Sequence, residues 1–192
     1  MSHFFAYLAR LKLILRWGLM RNTCRENVQE HSLQVAMVAH GLALIRNRYF
    51  GGNVDPERAL ALAVFHEVGE VFTGDLATPI KYFNPKIKEA YDAIDVFAKD
   101  RLLKMLPPEL APDYRRLFFP DEADAGVWRL VKAADKICAY LKCLEEIKAG
   151  NQEFAKAERA VRAEIDRFGL PEVAFFMEHF VPSFSLALDE LN

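Results

Sequence analysis

The sequence predicts a single all-α domain over residues 1–192, and three observations predict it. Apolar residues recur at helical spacing in one segment after another. No segment alternates strictly, and β-branched residues are not concentrated in any window. The periodic segments are separated by capping and helix-stop residues, with no internal repeat, low-complexity tract or flexible linker between them.

Each element follows from local chemistry. Phe4, Phe5, Leu8, Leu11 and Leu15 repeat at helical spacing, and 20–25 then reads as a loop. Asn27 and Glu30 have the spacing of a capping box, which starts a helix to about Arg48. Ala36, Ala39 and Ala43 are small enough to let a neighbouring helix approach it closely. Phe50-Gly51-Gly52-Asn53 breaks the chain. Asp55 and Pro56 are an N-cap and first-turn pair for a helix predicted to run to about Val71. A polar loop follows through Gly74, Asp75, Thr78 and Pro79, and then a helix over 85–105 that Pro107 and Pro108 end. Asp121 opens the longest predicted helix, over 121–149, with Gly150-Asn151 as its stop. Two or three further helices fill the remainder, punctuated by Gly169, Pro171 and Pro182.

A chain of 192 residues with 52% hydrophobic and 27% charged residues can bury a substantial core. Its formal net charge of -2 offers no broad basic field to gather a nucleic-acid polymer or an anionic membrane, so an anionic ligand must be held by local groups. Cys24, Cys138 and Cys143 form no CxxC pair and no even disulfide framework, which fits free thiols in a reducing compartment. Arg10, Lys12 and Arg16 interrupt the greasy N-terminal stretch, and no apolar run is long enough to span a bilayer. The expectation is a soluble, cytoplasmic protein.

The informative residues are polar groups that interrupt apolar faces. Val127, Leu130, Val131, Ala134, Ile137, Cys138, Leu141 and Leu144 make one stripe, and Asp135 sits at its edge. A carboxylate there needs an ion pair, for which Lys132 and Lys136 are candidates, a hydrogen bond, or a metal. His66 and Glu67 follow Leu60, Leu62, Ala63 and Val64, and Glu70 comes one turn on, on the same side. Adjacent residues on a helix point about 100° apart, yet their side chains can converge on one ion beside it. A lone histidine in such a place is more often a satisfied core residue, and the two glutamates shift the balance toward a ligand. His31 lies in the first turn of its helix, with Val35 and Val38 behind it, where a bond to backbone is the plain alternative. His40 shares a face with Leu33, Ala36 and Leu44, and His3 and His179 lack acidic partners at ligand spacing, so all three are read as ordinary histidines. His31, His66, Glu67 and Asp135 thus come from three helices and offer two nitrogens and two oxygens, a set suited to a borderline or hard divalent metal.

The ordering His31, then His66-Glu67, then Asp135 resembles the H…HD…D signature of HD-domain phosphohydrolases. The local words resemble one branch of them, the bacterial 5'-deoxynucleotidases. Asn27-Val28-Gln29-Glu30-His31-Ser32 matches their ENV-x-EHS segment, and Thr73-Gly74-Asp75-Leu76 with Thr78-Pro79-Ile80-Lys81 resembles the loop after their HD doublet. The segments 11–17, 139–146 and 180–184 extend the likeness nearly end to end. Glu67 departs from the pattern, since the doublet's second residue is ordinarily Asp; the extra methylene moves the carboxylate by roughly a bond length, on a scale that affects rate.

The resemblance implies metal-dependent hydrolysis of deoxyribonucleoside 5'-monophosphates by an HD helical bundle, and a homodimer. One divalent ion (cobalt, manganese or magnesium) would be held by His31, His66, Glu67 and Asp135 and would activate water at neutral pH. Glu70 would be the general acid/base, Arg16 would orient the phosphate, and Trp17 would lie against the sugar, crowding out a 2'-hydroxyl. Asp75, Leu76, Ala77 and Thr78 would contact the nucleotide, together with His31, Glu67 and Asp135. Three other readings compete. A metalloprotease is suggested by His66-Glu67-Val68-Gly69-Glu70, which lacks the second zinc histidine. A catalytically silent nucleotide-binding module is suggested by the Glu67 departure. Another HD phosphodiesterase is the closest of the three.

Overall fold

The computed structural model of the chain describes residues 1–81 and 83–191, the side chain of Thr78 excepted, and no strand occurs among them. Two short N-terminal pieces, α1 (Phe4–Leu8) and a 3₁₀ turn (Ala9–Leu13), precede α2 (Val28–Tyr49), α3 (Pro56–Val64), α4 (Glu70–Thr73) and α5 (Thr78–Lys81). Then come α6 (Pro85–Leu103), α7 (Ala111–Phe118), α8 (Ala125–Lys148), α9 (Ala155–Arg167) and α10 (Pro171–His179). No helix among the described residues is long and apolar enough to cross a membrane.

The predicted caps form. The Asn27 side chain accepts from the Gln29 and Glu30 amides while the Glu30 carboxylate accepts from the Asn27 amide, closing the capping box of α2. Asp55 caps α3 with Pro56 at its first position. Asp121 caps a 3₁₀ turn (Glu122–Asp124) that leads straight into α8, so the helix proper starts four residues later than predicted. The segment over 111–118 was not anticipated as a separate helix.

The main core lies where α2 crosses α3 and α8, with α10 closing one side. Ala36, Ala39 and Ala43 are buried at the crossing, which brings the helices close. The α8 stripe is buried as predicted, save Leu144 at its margin. Each fully buried Leu or Ile there, such as Leu42, Leu130 and Ile137, contributes about 1.5–3 kcal/mol. A second, aromatic cluster gathers Phe4, Val68, Leu102, Leu103, Leu106 and Phe118, flanked by Phe65 and Tyr114.

Two elements depart from expectation, and both departures bear on the site. The N-terminal helix ends by Leu13, because the chain extends so that the Arg16 amide donates to the Glu26 carbonyl and the Val28 amide to that of Ile14, both at 3.0 Å. The helix predicted to reach Val71 stops at Val64. From there to Phe72 the chain runs through i→i−3 bonds, including Val68 to Phe65, Glu70 to Glu67 and Phe72 to Gly69. Such bonding stacks residues three apart. Phe65, Val68 and Val71 therefore share the face packed into the aromatic cluster, and Glu67 and Glu70 share another. The turn also lies tightly on α6, where a Cβ added at Gly69 would meet an Asp95 carboxylate oxygen at 2.0 Å.

Candidate metal and phosphate site

The two long helices and the turn after α3 bring His31, His66, Glu67 and Asp135 together, with one ligand atom from each lying within 4.8 Å of all the others. His31 enters from the first turn of α2 and is fully buried. Its Nε2 lies 3.1 Å from Asp135 Oδ1 and 3.7 Å from Glu67 Oε2. Asp135 therefore pairs with the His31 imidazole, while Lys136 bonds Glu164 at 2.7 Å and the Lys132 ammonium lies over the Trp128 ring.

His66 shows what the cluster is suited for. Its Nδ1 lies 2.7 Å from the Ala63 carbonyl, which can only accept, so Nδ1 carries a proton. Nε2 is then the nitrogen left to offer a lone pair. It is buried, 3.9 Å from both Glu67 Oε1 and Asp135 Oδ1, with no hydrogen-bond partner. A backbone bond that fixes the tautomer and leaves the other nitrogen aimed at carboxylates is the usual support of a metal-bound histidine. The four side chains can hold one divalent ion.

Electrostatics agree with that chemistry. Burial opposes ionisation of Asp135, yet the His31 hydrogen bond and the nearby His66 hold its carboxyl well below the usual range. Burial opposes Glu67 likewise, and the Arg16 guanidinium is the chief group that holds it down to about 2. Arg16 is itself desolvated, but Glu67, Asp135, Glu26 and Asp75 outweigh this and raise its value further. Its Nη1 donates to Glu67 Oε1 and Oε2 at 3.2 and 3.0 Å, and its Nε to Glu26 Oε2 at 3.0 Å. Glu26, which heads the ENV-x-EHS segment but carries no role in the sequence reading, also places Oε1 3.8 Å from His31 Nδ1. Nine residues of loop and extended chain lie between it and Arg16, so no helical period could have announced it.

Glu70 behaves oppositely to Glu67. Burial, then the Glu67 and Asp75 carboxylates, push its carboxyl up to about 9, and its Oε2 has no hydrogen-bond partner. It is therefore a protonated acid at neutral pH beside an ionised cluster. Two carboxyls pushed apart in this way are suited to different roles.

Gly74, at φ 69° and ψ 175°, turns the chain out of α4 into Asp75, whose Oδ2 accepts from the Trp17 amide at 3.1 Å. Trp17 has a positive φ of 57°, packs on Phe154 at 5.3 Å between ring centroids, and leaves its buried indole nitrogen without a partner. Leu76 and Ala77 are half-buried, and the Ala77 carbonyl accepts from the Ile80 and Lys81 amides at the start of α5. The Thr78 side chain lies outside the described residues. A cavity of about 600 Å³ between α9 and α10 contains none of the predicted site residues.

The fold is that of the HD-domain phosphohydrolases. An HD-domain phosphohydrolase from Listeria innocua superposes with a TM-score of 0.83 at 22% identity, over 95% of this chain and 88% of that one. The cyanophage S-2L HD phosphohydrolase, solved with dA and one catalytic Zn²⁺, superposes with a TM-score of 0.67 at 20% identity, over 93% and 96%. Within that class the particular family is set by sequence. The family model for the YfbR-like 5'-deoxynucleotidases matches residues 3–184, and the chain belongs to that family. The 5'-deoxynucleotidase of Shewanella oneidensis is 55% identical over 192 residues, all of this chain and 98% of that protein. That of Vibrio cholerae is 53% identical over 191 residues, with the same shares.

Proposed function

We propose that the protein hydrolyses deoxyribonucleoside 5'-monophosphates to deoxyribonucleosides and phosphate, with residues 1–192 acting as one domain. The observation that carries this reading is the orphaned His66 Nε2, aimed into a group of two carboxylates and a second imidazole. The names of the close relatives supply the substrate class. His31, His66, Glu67 and Asp135 hold one divalent ion, and cobalt, manganese and magnesium all suit the donor set. When bound, the ion supplies Lewis acidity toward a phosphate oxygen and toward water.

The chain's own residues do the rest. Arg16 neutralises and orients the phosphate through charge-assisted bonds. The Glu70 carboxyl delivers its proton to the departing 5'-oxygen as the P–O5' bond breaks, and recovers one from the water whose oxygen becomes bonded to phosphorus. The Trp17 indole lies against the sugar face and disfavours a 2'-hydroxyl. Asp75, Leu76, Ala77 and Thr78 border the nucleotide, alongside His31, Glu67 and Asp135. The protein works in the cytoplasm as a homodimer in this reading.

The test is phosphate release from deoxy- and ribonucleoside 5'-monophosphates, with Co, Mn, Mg or Zn added to metal-stripped protein. Metal-dependent release favouring the deoxy series is expected. Folded protein that binds nucleotide and releases nothing with any of the four metals would overturn the reading in favour of a binding module.

A further inference from the structure

We infer that the buried Lys142–Glu146 pair is a positioning device, setting the conformation in which the 16–26 segment presents Arg16 and Trp17. The inference rests on the nucleotidase reading for what those two residues contact.

Neither residue belongs to the metal cluster, and neither is accounted for by the packing of α8. Glu146 is fully buried and Lys142 nearly so, one turn apart on α8, with Lys142 Nζ 2.5 Å from Glu146 Oε1. A buried ion pair adds little to stability on its own, since desolvation cancels most of its attraction. Here nearly every remaining hydrogen-bonding position is directed at one loop. Glu146 Oε2 accepts from the Thr23 amide at 2.9 Å and the Thr23 hydroxyl at 2.7 Å, and Oε1 from the Cys24 amide at 3.1 Å. Lys142 Nζ donates to the Cys24 carbonyl. Asn151 Nδ2 spans the junction, donating to Glu146 Oε2 at 2.8 Å and to the Arg21 carbonyl at 2.6 Å. The segment thus lies on a polar anchor in the second half of α8, while Asp135, in the first half of the same helix, joins the cluster.

The anchor reaches the site through the chain itself. Asn22 Nδ2 bonds the carbonyls of Met20 and Trp17, holding a loop in which Trp17 keeps its positive φ. Beyond Cys24, the Glu26 carbonyl receives the Arg16 amide and the Glu26 carboxylate receives Arg16 Nε. Both ends of the anchored loop therefore terminate on the pair Arg16-Trp17. A non-glycine residue at positive φ persists only where its surroundings hold it, and Phe154, packed on Trp17, follows directly on the Asn151 end of the same anchor.

The experiment replaces the pair with apolar residues of similar size, Lys142→Met with Glu146→Leu, so that no charge is left buried alone. Asn151→Ala, which leaves the ion pair intact and removes only its bonds to Glu146 and the Arg21 carbonyl, is prepared as a milder variant in case the double variant does not fold. Amide hydrogen exchange at Arg16 and Trp17, the affinity for Mn²⁺ alone, and KM, kcat and the deoxy-to-ribo preference are measured on each. Expected are faster exchange at Arg16 and Trp17, unchanged Mn²⁺ affinity, and a kcat/KM lower by about 10- to 100-fold carried mainly by KM. The sugar preference should fall with it, and Asn151→Ala should lie between wild type and the double variant. A folded variant in which only Thr23 and Cys24 exchange faster would overturn the inference, as would unchanged KM and sugar preference when Arg16 and Trp17 do exchange faster. If the wild type releases no phosphate from any nucleotide, the nucleotidase reading is what fails, and exchange at Arg16 and Trp17 then decides the positioning by itself.

Discussion

The candidate metal site is built from two kinds of structure. His31 and Asp135 project from α2 and α8, long helices whose facing sides form the main core. His66 and Glu67 stand on the i→i−3 turns between α3 and α4, Glu70 opens α4, and Asp75 follows a glycine. On the helices, position is set by many apolar contacts, each small and interchangeable. On the turns it is set by a few particular bonds, such as His66 Nδ1 to the Ala63 carbonyl and the Trp17 amide to Asp75. The helical half should therefore fix where an ion sits, and the turn half should govern what happens to protons and phosphate around it.

The largest effect is expected at the helical half. Asp135→Ala removes a cluster carboxylate and the partner of His31 Nε2 from a helix that will keep its shape. It should abolish metal binding and nucleotide hydrolysis together while the helical circular dichroism is retained. Residual activity that saturates at wild-type metal concentrations would mean that Asp135 is not a ligand.

Glu70→Gln probes the turn half and should separate metal binding from turnover. Metal affinity should persist while kcat falls about 10²- to 10⁴-fold, the usual contribution of a general acid or base. The pH dependence has a definite sign. Burial, then Glu67 and Asp75, push the Glu70 carboxyl up to about 9, so the acid form persists through neutrality. Wild-type kcat should decline on the alkaline side with a midpoint at or below about 9, because a bound cation favours the carboxylate. The glutamine variant should lose that limb. Linkage adds a stability readout in the metal-free protein. The folded state retains a proton that the unfolded chain releases above its ordinary carboxyl pKa, so stability is lost as pH rises from there to about 9. Glu70→Gln should therefore raise Tm at pH 8 relative to wild type; a lower Tm would contradict the assignment of a buried protonated acid.

The same contrast explains what could be read from the sequence. The capping box at Asn27 and Glu30, the Asp55-Pro56 start and the α8 stripe are local or periodic, and each stands where predicted. The four cluster residues were legible because His and carboxylates on apolar faces are costly and therefore conspicuous. The end of α3 at Val64 was not, since the residues from 65 to 71 are compatible with a helix and only the aromatic cluster around Phe118 draws Phe65, Val68 and Val71 onto one face. Glu26 and the Lys142–Glu146 anchor escaped for a related reason. Their partners are Arg16, Thr23 and Cys24, joined to them by tertiary contact alone.

Glu26 tests whether the turn and loop side depends on such single bonds. Glu26→Gln keeps the shape but weakens the hold on Arg16 Nε and leaves His31 Nδ1 without a nearby carboxylate. An outer partner of this kind is worth about 10- to 100-fold. The loss should appear in kcat/KM, with a greater change in KM for nucleotide than in affinity for metal. Equal losses in both would indicate that His31, more than Arg16, is what Glu26 supports.

The smallest expected effects give the sharpest form of the comparison, because one substitution should have opposite signs in the two regions. A Cβ added at Gly41, within α2, or at Gly74 meets no other atom within 4 Å, so neither change is confounded by a clash. Gly41 is an ordinary helical position, where alanine restricts the unfolded chain and should stabilise by about 0.5–1 kcal/mol. Gly74 holds φ 69° and ψ 175°, a conformation that is essentially glycine's alone, so alanine should destabilise by about 1–3 kcal/mol. Because Gly74 aims Asp75 at the Trp17 amide, Gly74→Ala should also raise KM, while Gly41→Ala leaves kinetics unchanged. Urea denaturation with parallel kinetics measures both. Equal and small shifts at the two sites would mean that the turn carries no more conformational constraint than the helix, and the division of labour between them would have to be abandoned.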